Sequence, residues 1–295
     1  MGRRSEQPTI VFLHIGKTGG LTFRRILRRQ FPASHVMELK TPLGPARQRR
    51  EGTAAYFASL PEAERARPRL IMGHTTFGLH ELIPRPSTYV TLLRDPLKLN
   101  VSLYHYIRSN PNHFLHDEVI ARNLSLEEFL RSGIALETDN SQVRALSGDT
   151  TAGFGACTER MLEHAKRNVE ERISVVGFTE HYEESALLLR RTFGWSNVYF
   201  VPLNVGKGRR DPLPASTLEL IREQNRLDLE LYRWAERRLE DEIAADPSFA
   251  VELRRFQRAN RLYRPWGHLT YTYPKLLRDR LLGQPTASAV ATPGR

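Results

Sequence analysis

Phe12-Leu13-His14-Ile15-Gly16-Lys17-Thr18-Gly19-Gly20-Leu21-Thr22-Phe23 decides how this 295-residue chain is read. Ahead of the loop, Thr9 to Leu13 (TIVFL) is a short apolar, β-branched run of the kind that forms a buried strand. Behind it, Phe23, Ile26, Leu27 and Phe31 recur at helical spacing through Arg24 to Gln30. The linking loop carries three glycines, one lysine and two threonines. A strand, a glycine-rich loop and a helix N-terminus together aim backbone N–H groups at an anion. The glycines let the backbone come close, Lys17 adds a point charge, and Thr18 and Thr22 add hydroxyls. The stretch reads as a phosphate cradle.

Gly16-Lys17-Thr18 invites comparison with the nucleotide-binding pattern G-x-x-x-x-G-K-[ST], but the first glycine of that pattern would fall on Val11. Gly19 and Gly20 follow the lysine instead of preceding it. The Mg²⁺ partner of such a loop would be an Asp at another strand end, and the best candidate is Asp95 in Thr91-Leu92-Leu93-Arg94-Asp95-Pro96. There Arg94 comes first and Pro96 opens a helix, so a metal-free nucleotide site fits better.

His14-Ile15-Gly16-Lys17-Thr18-Gly19-Gly20 with Thr22-Phe23 resembles the 5′-phosphosulfate loop of sulfotransferases that use 3′-phosphoadenosine 5′-phosphosulfate (PAPS). Leu93-Arg94-Asp95-Pro96, followed by Ser102 and Tyr104, resembles their 3′-phosphate motif. The nearest likeness is to the branch holding the heparan sulfate 2-O- and 6-O-sulfotransferases, strongest over roughly the first 110 residues. Gly16 stands where a proline is frequent there, and Leu21 where a threonine is frequent. The resemblance implies a P-loop-like, three-layer α/β fold with a central, mostly parallel five-stranded sheet. It also implies PAPS as donor, with Lys17, Thr18, Gly19, Gly20, Leu21 and Thr22 around the 5′-phosphate and Arg94 and Ser102 on the 3′-phosphate. A later Gly-Lys-rich loop closes over the nucleotide in the family, which points to Asn204 and Lys207.

Sulfuryl transfer needs an in-line approach, stabilisation of charge on the departing phosphate, and a base for the acceptor proton. Lys17 suits the leaving group. His74 ends the run Arg69 to His74 on the same sheet edge and suits the base, as a histidine in a comparable segment does in the resembled enzymes. His80 and Glu81 are fallback bases, His14 an orienting residue for the loop, and His105 a helix-packing residue. Asn140, Gln142 and Arg144 face acceptor or cofactor on one reading and solvent on the other. Cys157 reads as inert, and no His/Cys cluster has metal-ligand spacing, so no metal is expected.

The strand expectations are 9–13, 36–39, 69–74, 88–93, 173–178 and 198–201, with 41–52 a loop and a capping box from Ser216 to Glu219 opening a long helix. Residues 1–282 make one domain, and 283–295 (GQPTASAVATPGR) have the composition of a disordered tail. A net charge of +11 suits an anionic ligand, a glycan or a membrane surface, and no nucleic-acid motif is present. One cysteine permits no intrachain disulfide, and no apolar run spans a bilayer, which sets a cytoplasmic expectation. A small molecule, a glycan and a glycolipid stay open as acceptors. Tyr104, Tyr106 and Phe77 are candidates to stack on a ring. The alternative is a Mg²⁺-dependent phosphotransferase with a variant P-loop, against which Arg94 with Ser102 argues, since ATP has no 3′-phosphate.

Overall fold

A computed structural model describes residues 7–39, 46–203 and 212–269. Five strands form one sheet: β1 (Thr9–Leu13), β2 (Val36–Glu38), β3 (Leu70–Gly73), β4 (Ser87–Leu93) and β5 (Ile173–Phe178). Their order is β2-β3-β1-β4-β5 and every pairing is parallel. A parallel sheet is covered on both faces, which is why β1 reads as continuous apolar residues and is buried along its whole length. Each Ile, Val or Leu side chain so buried contributes about 1.5–3 kcal/mol relative to exposure.

Because β1 has β3 on one side and β4 on the other, the chain order reverses at its carboxyl end. In open parallel sheets that crevice is where ligands bind. The segments leaving β1, β3, β4 and β5 all emerge on this edge. The helix Gly20–Arg28 follows β1 and buries Phe23, Ile26 and Leu27. The helix Pro96–Ser109 follows β4, with Asp95 as its N-cap accepting the Lys98 N–H at 3.0 Å. The helix Tyr182–Phe193 follows β5. Helices Ser141–Ser147, Glu159–Arg172, Ala215–Gln224, Arg226–Ala245 and Pro247–Gly267 complete the layers. None of the described helices is long and apolar enough to cross a membrane.

Three expectations are corrected. Residues 198–201 join no sheet: the Phe200 N–H donates to the Asn260 side chain and Arg29 donates to the Tyr199 carbonyl, so side chains supply the partners a strand would have needed. The fifth strand is instead the short edge strand β2. The helix Ala46–Ser59 starts inside the stretch read as a loop. The Ser216 capping box does not form: Pro214 is the N-cap of Ala215–Gln224, and Asn225 interrupts the helix before Arg226. A capping box is found instead at the helix Leu126–Ser132, between Ser125 and Glu128.

Candidate active site

The loop after β1 places Lys17 at φ 65° and Gly19 at φ 79°, the left-handed region. For lysine that conformation costs on the order of 1–2 kcal/mol and must be held from outside. Three residues hold it. Arg94 donates to the Lys17 carbonyl at 2.7 Å, Thr179 to the Thr18 carbonyl at 2.7 Å, and Tyr182 to the Gly19 carbonyl at 3.1 Å. With three successive carbonyls bound to protein, alternating backbone conformations form a nest of N–H groups on the other side. Gly20 and Leu21 open the helix, so their N–H groups have no intrahelical partner. The Thr22 N–H is taken by the Gly19 carbonyl, and its hydroxyl accepts from the Leu203 N–H. Thr22 therefore ties the loop to residue 203. Thr18 is fully buried, its hydroxyl donating to the Ile15 carbonyl. A Cβ on Gly16 would meet nothing within 4 Å, so a side chain has room there.

Register β1–β3 pairs Leu13 with Gly73, which sets His14 beside His74. Their rings stack with centroids 4.2 Å apart, and the His14 ring stacks in turn on Phe12. His74 Nδ1 donates to the His14 carbonyl at 2.9 Å. A neutral imidazole whose Nδ1 carries the proton has its lone pair on Nε2, which fixes His74 in the tautomer of a base. His14 itself is held far below the ordinary histidine range by burial first and then by the His74, Arg24 and Lys17 charges. Its ring lies against Gly20: a Cβ there would come within 2.0 Å of His14 Nε2. Gly20 is thus a packing requirement of His14 as well as the start of the helix. Lys17 is lowered to about 8, by burial first and by Arg94 second.

Arg94, at the end of β4, is held by Gln142 through two bonds. The Arg94 N–H donates to Gln142 Oε1 at 2.9 Å, and Gln142 Nε2 donates to the Arg94 carbonyl at 3.0 Å. Gln142, Asn140 and Arg144 are all buried, away from solvent, and none of them lines the cavity around Lys17 and His74. Asp228 accepts the Gln142 and Val143 N–H groups at 3.0 and 2.7 Å, and Arg144 pairs with buried Asp139. Burial raises the Asp228 carboxyl to about 6 against those hydrogen bonds.

One cavity of about 780 Å³ brings together His14, Lys17, Gly19, Gly20, Leu21, Thr22, His74, Arg94 and Ser102. Asn204 and Lys207 lie outside the described residues. His80 and Glu81 are not on this cavity: His80 pairs with the Tyr89 hydroxyl, and Glu81 lines a separate cleft beside Phe77. His105 is exposed, its ring edge-on to Tyr104, instead of packed inside. Of the three candidate stacking aromatics only Tyr106 lines the cavity; Tyr104 is buried with its hydroxyl on the Leu124 carbonyl. The Cys157 thiol is pushed up to about 12 by burial. Among the described residues no cluster of metal-ligating side chains is found. The sequence reading missed Thr179 and Tyr182, which lie more than 150 residues from the loop they hold. No local pattern marks them; only the pairing of β4 with β5 brings them near.

A family model described as galactose-3-O-sulfotransferase matches residues 3–264, well past the motifs near the N-terminus. Galactose-3-O-sulfotransferase 3 of Homo sapiens is 29% identical over 244 residues, covering 78% of this chain and 56% of that protein. Galactosylceramide sulfotransferase of Mus musculus is 32% identical over 245 residues, covering 76% of this chain and 55% of that protein. Heparan-sulfate 6-O-sulfotransferase 1 of Homo sapiens is 26% identical over 267 residues, covering 77% and 64%. The chain thus spans between 55% and 64% of the length of these relatives.

Proposed function

The chain belongs to the galactose-3-O-sulfotransferase family, and from that premise we propose that it moves a sulfuryl group from PAPS to a hydroxyl of a carbohydrate or glycolipid. The observation that carries this reading is the meeting of Lys17, His74, Arg94 and Ser102 on one cavity at the carboxyl edge of a parallel sheet. The relatives' names, which specify galactose, galactosylceramide and heparan sulfate, support the acceptor class.

The donor supplies an activated sulfuryl group on a phosphate leaving group, and the residues present suit both its phosphates. The N–H nest between Lys17 and Leu21 holds the 5′-phosphate; Arg94 and the Ser102 hydroxyl hold the 3′-phosphate. His74 Nε2 takes the acceptor proton as the acceptor oxygen bonds to sulfur. The bond from sulfur to the bridging oxygen breaks, its electron pair stays with the phosphate, and the Lys17 ammonium balances the charge that develops there. His14 keeps the His74 ring in position and in the correct tautomer.

The phosphotransferase alternative needs Asp95 as a Mg²⁺ ligand. That carboxylate caps the helix Pro96–Ser109 through Oδ1 and does not line the cavity, which argues against it as a metal partner there.

The test incubates the protein with PAPS and either lactose or galactosylceramide and looks for sulfated product by mass. Product is expected with at least one, and His74→Ala should lower kcat about 10²–10⁴-fold with little change in KM. Failure to sulfate either acceptor, together with phosphate transfer from ATP and Mg²⁺, would overturn the proposal.

A further inference from the structure

Tyr106 lies on the helix Pro96–Ser109 one turn beyond Ser102, lines the cavity, and is 40% exposed. Lys17 Nζ sits over its ring, 3.8 Å from the centroid. His113, also on the cavity, meets the Tyr106 ring edge-on at 5.7 Å and 82°. Phe114 stacks on His113 at 4.7 Å and 29° and is itself 36% exposed. Tyr106 and His113 thus line the cavity wall beside the catalytic lysine, and Phe114 stacks behind His113. Half-exposed aromatics contribute little to a core, and Tyr104 on the same helix shows where a packing tyrosine of this segment goes: inside, with its hydroxyl on a backbone carbonyl.

We propose that this shelf is the acceptor subsite, that the Tyr106 ring takes the apolar C–H face of a pyranose, and that Lys17 and the sugar use the same ring face in turn. The physical reason is common to both occupants. An aromatic face carries the negative part of a quadrupole, which attracts an ammonium and also the C–H groups of a sugar polarised by their oxygens. Lys17 covers the Tyr106 ring face where it lies, so a sugar can take that face only once Lys17 has swung away. When Lys17 turns to the donor it exposes the ring face to the acceptor, beside the nucleophile's target. Donor binding therefore creates the acceptor platform. His113 supports the Tyr106 ring from its edge and extends the shelf toward a second sugar or the remainder of the acceptor. This inference rests on the sulfotransferase reading and adds to it the residues that choose the acceptor and the order in which the two substrates bind.

Saturation-transfer NMR on lactose tests it, with 3′-phosphoadenosine 5′-phosphate (PAP) as the non-reacting donor product. With PAP bound, the wild-type protein should transfer saturation to the galactose ring protons, and the signal should drop severalfold when PAP is left out. Tyr106→Leu should lose the signal while binding PAP within about twofold of wild type, because the phosphate contacts are untouched. Tyr106→Phe should keep it, since the ring face remains, and His113→Ala should reduce it by less than Tyr106→Leu does. If the leucine variant does not fold, Tyr106→Gln serves the same comparison. A wild-type protein that fails to bind PAP would overturn the sulfotransferase reading itself. PAP binding with no lactose signal, with a signal indifferent to Tyr106→Leu, or with an equal signal in the absence of PAP would overturn the shared subsite alone.

Discussion

Two polar regions of this molecule look alike as sequence and behave differently in the fold. His14 to Thr22 and Thr138 to Arg144 are both short polar stretches that lead into a helix. In the first, backbone carbonyls are tied back to Arg94, Thr179 and Tyr182, while N–H groups, Lys17 and the His74 ring face a cavity. In the second, the polar groups close on one another: Asp139 with Arg144, Asn140 with Asn225, and Asp228 with the start of the helix Ser141–Ser147. The first has donors and charge to offer a ligand. The second is scaffold, and Gln142 joins the two by gripping both backbone groups of Arg94. The contrast teaches that the direction in which a polar run spends its hydrogen bonds separates a site from its support.

The largest expected effect breaks the scaffold and spares the cavity. Asp139→Leu leaves the Arg144 guanidinium buried without its carboxylate, and should cost about 3–5 kcal/mol of unfolding free energy in a urea titration. PAP affinity should be near normal in whatever fraction stays folded. A variant equally stable to wild type would contradict the scaffold role.

Gln142→Leu strikes the bridge between the regions. It strands the Arg94 N–H and carbonyl, at about 1–3 kcal/mol of stability. It should also weaken PAP binding, although residue 142 itself is fully buried. Loss of stability with unchanged PAP affinity would show that Gln142 does not position Arg94.

The smallest effect is the pH dependence that Lys17 brings to the cavity. Lys17 is lowered from 10.5 to about 8, so between those values the unfolded chain binds more protons than the folded one. Stability from this group therefore rises as pH climbs from about 8 to 10.5. Affinity for an anion runs the other way: PAP binding should take up a proton near pH 8 and weaken above it, by at most about tenfold per pH unit. Calorimetry in buffers of different ionisation enthalpy reads that proton directly. Lys17→Met should abolish both trends, and persistence of the proton uptake in that variant would place it on another group.

How legible the site was in the sequence follows the same division. The strands β1, β3, β4 and β5, the glycine loop, Arg94 at one strand end and His74 at another all carry local signals: apolar runs, loop composition, residues at strand termini. Asn140, Gln142 and Arg144 were legible as polar but not as buried, because helical spacing says nothing about which side a long-range partner occupies. Asp228, the partner that seals them, lies more than 80 residues on. Residues 198–201 have strand composition and lie in the interior without joining the sheet, because Asn260 and Arg29 satisfy the backbone that a neighbouring strand would have satisfied.

The most direct measurement is calorimetric titration of the protein with PAP and with ATP, each with and without Mg²⁺. A cavity built for PAPS should bind PAP without metal, at least about tenfold more tightly than ATP, and Arg94→Ala should weaken both nucleotides and remove most of the preference for PAP, since Arg94 holds the cradle as well as the 3′-phosphate. ATP binding as tight as PAP binding, above all if Mg²⁺ strengthens it, would contradict the assignment of this cavity to PAPS.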